Sequence, residues 1–382
     1  MRLLIISNGH GEDHIACNLI RACRDQWAKP KIKAIPLVGK GLAYKKINIQ
    51  TLSQNKTFPS GGFIRRWKDL LHDLFAGIIR QSLQHYRLIK EAGKNVDLII
   101  CVGDVYALFL SHFAKNKPLY FLPTAKSDRF MKHYWIEYKC IQKWAQLSFP
   151  RDQLTTDSFL KNHCPAHFFG NPMMDFLIPP KPLLSNRPPF LVGLLPGSRE
   201  EAYQNLEQLI PIMQALTKAT SPQTLMFLLA KSPSLSWNSL KNTVGWVEKK
   251  QEPHCYLSDP YSEATLIITE SFLNVVFDSD ILIGLSGTAN EQAVHCKKHV
   301  FCFEGAGPQT TRKRFEEQRK LLGNRLHVIH PATTQTICNR ILSHLSTTGK
   351  ATETEQTSQP NASEKIVSCI QKRLGDGARE GT

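Results

Sequence analysis

The chain has 382 residues, too many for one ordinary core and enough for two. Hydrophobic residues make up 42% and charged residues 21%, which excludes a chain disordered throughout. The formal charge of +16 suits an anionic partner, yet no helix-turn-helix, RNP-like signature or aromatic-interleaved basic run is present, so nucleic acid is not an expected partner.

The segment Met1–Ser7 is too short for a secretory signal and reads as a buried first strand. No apolar run approaches the roughly 20 residues a membrane-spanning helix needs. Ten cysteines form no CxxC pair, the pattern of reduced thiols, and no metal site is expected. The expected compartment is the cytoplasm.

Short apolar runs alternate with helical patterns, which predicts an α/β protein with parallel sheets. The first strand, Leu3–Ser7, ends in Asn8-Gly9-His10-Gly11-Glu12-Asp13. Gly9 and Gly11 in a tight turn let the backbone approach a substrate, and Glu12 and Asp13 suit the start of a helix. The same residues also read as a plain strand–helix turn capped by Asp13. The spacing is not GxGxxG, so a dinucleotide site is not expected.

Further strands are predicted at Ile32–Pro36, Leu98–Val102, Leu119–Leu122, Leu147–Phe149 and His167–Gly170, with helices around Asp13–Trp27 and Ile64–Ala92. The second of these helices has one apolar face with basic margins. It reads either as a helix packed on the sheet or as a membrane-surface patch, with Phe58, Phe63, Arg65, Arg66 and Trp67 at the interface. The third strand runs into Gly103-Asp104. A carboxylate at the carboxyl end of a central strand faces the ligand crevice of a doubly wound sheet, so Asp104 is a candidate general base. It is equally placed to cap the next helix. Glu12 and His10 are the rival bases.

Residues 1–175 thus form one Rossmann-like domain, and the proline-rich 176–189 reads as a linker. A second domain, 190–345, restarts the pattern with strands at Leu191–Leu195, Leu225–Leu229, Leu266–Thr269, Ile281–Leu285, His299–Phe303 and Leu326–Ile329. Its helices fall at Glu200–Thr217, Phe272–Phe277, Asn290–His295 and Thr311–Leu322. Residues 346–363 have little to bury and read as a flexible segment, and 364–382 as a final helix and tail.

Two strands of the second domain end in small-residue turns: Pro196-Gly197-Ser198-Arg199 and Ser286-Gly287-Thr288-Ala289-Asn290-Glu291-Gln292. Backbone N–H groups at a helix N-terminus bind phosphate well, and a guanidinium holds pyrophosphate by paired hydrogen bonds. Glu291 stands where it can accept from a ribose. Two such turns in one domain point to a nucleotide diphosphate sugar.

These motifs, in order with Phe169-Gly170-Asn171-Pro172-Met173-Met174-Asp175, resemble lipid A disaccharide synthase over roughly residues 1–345. Asn8–Asp13 looks like a degenerate form of that family's Gly-Glu-x-Ser-Gly-Asp opening. Ser60-Gly61-Gly62-Phe63, Val102-Gly103-Asp104-Val105 and Gly307-Pro308-Gln309, followed by Gln318 and Leu322-Gly323, resemble its divergent, synthase-related branch. The resemblance implies a glycosyltransferase of the GT-B type, with two doubly wound Rossmann-like domains facing a central cleft. It implies a UDP-sugar donor on the C-terminal domain and a lipid-linked sugar acceptor on the N-terminal one, at the inner face of the cytoplasmic membrane. It also implies inversion at the anomeric carbon with no required cofactor or metal.

Two departures stand out. Where the synthase has an Asn-Leu-Leu-Ala-Gly-like segment, this chain has Gly307–Thr311 and a basic helix, with Gln309, Arg312 and Gln318 as the candidate substitutes. The expected carboxylate falls one residue early, at Glu291, or is replaced by Gln292. On the same fold, a UDP-GlcNAc 2-epimerase and a non-catalytic UDP-sugar or lipid-binding protein are the alternatives.

Overall fold

The computed structural model describes residues 1–39, 41–53, 78–114, 116–129, 131–220, 225–251, 254–348 and 361–379. The chain divides into two compact units, Met1–Phe176 with Ser358–Thr382, and Leu177–Thr357.

The strands of the first unit are β1 (Arg2–Ser7), β2 (Lys31–Pro36), β3 (Leu98–Gly103), β4 (Leu119–Pro123) and β5 (Leu147–Ser148). They pair in parallel in the order β2-β1-β3-β4-β5. Parallel neighbours need crossover connections, here supplied by α1 (His10–Gln26), α2 (Leu42–Lys46) with α3 (Ile78–Gly93), α4 (Val105–Ser111) and α5 (Trp135–Trp144), while α6 (Gln153–Lys161) follows the last strand. Successive side chains of a strand point to opposite faces. Leu3 and Ile5 therefore enter one core with Ile15 and Leu19 of α1, while Leu4 and Ile6 enter another with Ala107 and Leu108 of α4. Burial on both faces explains why β1, β3 and β4 read as apolar runs.

No strand forms over His167–Gly170, where one was expected. Only Ala166 bridges to Ser148, and Phe169 packs on the core beside Phe149. The helix Ala362–Arg379 belongs to this unit: Ile366, Val367 and Ile370 are buried in the core that holds Leu3 and Ile15. Asp175 caps it, accepting from Ala362 N at 2.9 Å and Ser363 N at 2.7 Å.

The second unit contains β6 (Phe190–Leu195), β7 (Leu225–Ala230), β8 (Val247–Gln251), β9 (His254–Ser258), β10 (Thr265–Thr269), β11 (Ile281–Gly284), β12 (His299–Cys302) and β13 (Leu326–Val328). Its helices are α7 (Glu201–Ala219), α8 (Trp237–Val244), α9 (Phe272–Asp278), α10 (Thr288–His295), α11 (Arg312–Leu322) and α12 (Thr334–Thr348). The sheet order is β13-β12-β11-β6-β7-β10-β9-β8. Strands β6, β7 and β10 to β13 are parallel, and the β8–β9 hairpin extends one edge antiparallel. Sequence reading missed this hairpin because Val247-Glu248-Lys249-Lys250-Gln251 is polar, as edge strands often are.

The proline-rich stretch is strapped to the second unit. Leu183 N donates to Asp278 Oδ2 at 2.8 Å, Lys181 O accepts from Asn274 Nδ2 at 2.7 Å, and Arg187 pairs with the buried Asp280 at 2.6 Å. Helix α12 continues to Thr348, into the stretch read as flexible. Among the described residues no helix is long and apolar enough to cross a membrane.

Candidate functional site

The two small-residue turns lie side by side. Their strands β6 and β11 pair, with Leu195 opposite Gly284, and Leu285 N donates to Leu195 O at 2.9 Å. At Gly197 the φ angle is 114°, a region few other residues enter, and an added Cβ would stand 3.5 Å from Leu285 O. Helix α7 begins two residues after Arg199, and Thr288 opens α10, so both turns precede helix N-termini. Ser198 and Thr288 are exposed, and Gly197, Arg199, Ser286 and Gly287 are half-buried. Glu291 and Gln292 follow in α10, both half-buried. Helix N-terminal N–H groups and a guanidinium are both groups that favour anions.

Side chains beneath the turns fix them. Asn290 is buried and donates from Nδ2 to Gly284 O at 3.1 Å and to Gln318 Oε1 at 3.4 Å. Gln318 in turn donates to Gly287 O at 2.7 Å. A Cβ on Gly284 would come within 2.0 Å of Asn290 Oδ1, so the strand end has no room for a side chain. Asn205 of α7 donates to Pro196 O at 2.9 Å and accepts from Ala306 N at 2.6 Å. It thereby ties the first turn to the loop after β12 that carries the half-buried Gln309. Nothing in the local sequence marked Asn205.

In the first unit the ends of β1, β3 and β4 meet. Asn8 N donates to Val102 O at 3.1 Å, and Thr124 N donates to Gly103 O at 3.0 Å. Helix α1 starts at His10, so Gly11 and Glu12 sit in its first turn and not in the preceding loop, which is Asn8-Gly9 alone. Glu12 folds back over that loop: a Cβ on Gly9 would lie 2.6 Å from Glu12 Oε2. Thr124 Oγ1 stands 3.5 Å from Glu12 Oε1. Burial pushes the Glu12 carboxyl up, and the Asp104 charge adds to this while Arg151 and Thr124 oppose it. The Asp104 carboxyl is also raised by burial, against backbone N–H groups that favour its charged form. Asp104 caps α4, with Ala107 N donating to Oδ1 at 3.0 Å. The capping reading of Asp104 therefore holds, and the residue still lies beside Glu12. Of His10, only the backbone position opening α1 is described.

Sequence reading passed over Thr124 and Arg151, which follow β4 and β5 at the same edge. Arg151 Nη1 is 3.4 Å from Thr124 O. The shielded Lys126–Glu137 ion pair, 2.7 Å long, stands close enough for the Glu137 charge to act on Asp104. Phe58, Phe63, Arg65, Arg66 and Trp67 lie outside the described residues, as do Ser60–Phe63.

Asp13 does not cap α1. It is buried beneath it, bonded to Ser7 Oγ at 2.5 Å, and Ser7 reaches the buried Tyr44 hydroxyl at 2.6 Å. Asp13 Oδ2 has no partner among the described residues. Burial lifts its pKa to about 7 from 3.8. Between these values the folded state binds the extra proton, so stability falls as pH rises from about 4 to 7 and is level on either side. The difference between plateaus is of the order of 4 kcal/mol. Asp13→Asn is expected to flatten this dependence and to raise the melting temperature at pH 8 but not at pH 4. Thermal unfolding across that range checks it.

No family model matches the sequence, and no curated protein matches it. Solved structures do match along the whole chain. MnaA of S. aureus with UDP superposes with a TM-score of 0.62 at 13% identity, covering 98% of this chain and 97% of that one. The UDP-GlcNAc 2-epimerase of Neisseria meningitidis bound to UDP-GlcNAc gives 0.59 at 12%, covering 97% and 100%. CalG4, the calicheamicin glycosyltransferase, gives 0.57 at 11%, covering 100% and 98%. These likenesses establish the fold: an α/β chain with two Rossmann-like sheets, of the GT-B type.

Proposed function

We propose that the protein is a UDP-sugar enzyme: an inverting glycosyltransferase resembling lipid A disaccharide synthase. It transfers a glucosamine-type sugar, acylated or not, from UDP to a lipid-linked sugar acceptor at the cytoplasmic membrane surface. One observation carries the donor assignment, the juxtaposition of Pro196–Arg199 with Leu285–Thr288 ahead of two helix N-termini. The UDP held by MnaA and the UDP-GlcNAc held by the meningococcal epimerase, on the same fold, support a uridine nucleotide. The ordered synthase-like motifs support the transfer reaction.

In this reading Gly197, Ser198, Arg199, Ser286, Gly287 and Thr288 hold the diphosphate. Glu291, or Gln292 beside it, takes the ribose, and Gln309 faces the sugar. The acceptor hydroxyl attacks the anomeric carbon, the bond from that carbon to the diphosphate oxygen breaks, and UDP departs with the electron pair. A single displacement inverts the centre. Glu12 accepts the hydroxyl proton. Its pKa, raised first by burial and further by the charge of Asp104, which caps α4, makes it a stronger base than an ordinary carboxylate. Developing charge on the leaving diphosphate is met by the turn N–H groups and Arg199. No cofactor beyond the donor enters the scheme.

The likeness to the meningococcal enzyme favours a second reading, a UDP-GlcNAc 2-epimerase. The two separate by product. Purified chain given UDP-GlcNAc alone yields the C2 epimer if it is an epimerase, either still on UDP or, where water cleaves the anomeric bond, as free sugar with UDP released. A transferase releases UDP in proportion to a lipid-linked acceptor. A UDP-sugar that raises the melting temperature while neither reaction occurs would instead mark a non-catalytic binder.

A further inference from the structure

At the opposite edge of the second unit's sheet, three histidines converge. His299 opens β12, His327 is the middle residue of β13, and His344 lies in α12. One ligating atom from each falls within 4.8 Å of the others. His299 Nδ1 and His327 Nε2 are 2.9 Å apart. Phe301 stacks on His327 with centroids 4.6 Å apart and planes 14° apart, which holds that ring in place. All three histidines are half-buried.

We propose that His299, His327 and His344 bind a divalent transition-metal ion, Zn2+ being the natural occupant, at a site distinct from the two small-residue turns. Imidazole suits zinc, copper and nickel, and three histidines with one open position for water is an established zinc arrangement. Zinc–nitrogen bonds of about 2.0–2.1 Å in a tetrahedron need nitrogens roughly 3.3 Å apart. The closest pair therefore has to open by only a few tenths of an ångström. Strand β13 is three residues long and forms the sheet edge, and the ion would fasten it to both β12 and α12. Ligation through His299 Nδ1 moves the ring proton to Nε2, which faces Arg325 Nη1 at 3.4 Å. The guanidinium therefore opposes binding and weakens the site.

The test is a titration of the full chain with Co2+ near neutral pH, read by visible d–d absorption. Zn2+ displacement and thermal unfolding follow. One equivalent is expected to bind, Zn2+ to raise the melting temperature, and His344→Gln to weaken binding at least about ten-fold. Arg325→Ala is expected to tighten it several-fold by removing the competing charge. Circular dichroism confirms that each variant folds, and His299→Asn replaces His344→Gln if the latter does not. Absence of both the visible bands and the thermal shift overturns the proposal. So do bands that survive the histidine substitution undiminished, and a sulfur charge-transfer feature among them would place the ion on cysteine thiolates.

Discussion

Replacing Glu12 with glutamine is expected to lower turnover by about 10²–10⁴-fold, the usual contribution of a positioned general base. UDP affinity should be unchanged, because Glu12 belongs to the first unit and the turns proposed to hold the donor belong to the second. The residue's geometry makes the expectation specific. Its carboxylate folds over Gly9 and touches Thr124 only at 3.5 Å, and burial holds it above the ordinary carboxylate range. Gly9→Ala should give much of the same loss with an intact base, since the new methyl group would occupy the carboxylate's place. Asp104→Ala should behave differently. It removes the cap of α4, costing about 1 kcal/mol of stability, and lowers turnover less. Initial rates and UDP titrations for the three variants check the scheme. A Glu12→Gln enzyme with near wild-type turnover would move the base elsewhere.

Arg199→Ala is expected to weaken UDP binding by about 10–100-fold, the loss of a charge-assisted pair worth roughly 1.5–3 kcal/mol. Thr288→Val should weaken it less, because the backbone N–H groups of α10 remain. Uridine, lacking phosphate, should bind both variants and the parent alike. Calorimetric titration at fixed ionic strength checks this, since phosphate contacts are screened by salt. Unchanged UDP affinity in Arg199→Ala would show that the diphosphate lies away from these turns.

The parallel strands and the two small-residue turns were legible in the sequence because each has a local signature. A strand buried on both faces is an apolar run, a strand end that admits no side chain is a glycine, as at Gly284, and a turn needing positive φ takes one too, as at Gly197. What holds the turns in place was not legible. Asn205 reaches Ala306 across 101 positions and Gln318 reaches Gly287 across 31, distances over which no periodicity connects residues. The alternatives at Asp104 share one sequence signature, because a cap and a base both call for a carboxylate after a strand. Only the bond from Ala107 N shows that the cap is made. The same limit hid the three histidines, whose rings come together through the pairing of β12 with β13 and the course of α12.

The return of Ala362–Arg379 to the first unit sets an order of assembly. Residues 177–357 leave the ribosome as one contiguous body, whereas the first unit waits for a helix translated after all of them. Until it arrives, the part of the first core beside α1 that will receive Ile366, Val367 and Ile370 stays open. A nascent chain therefore carries a finished second body while the first is still open to chaperones and proteases.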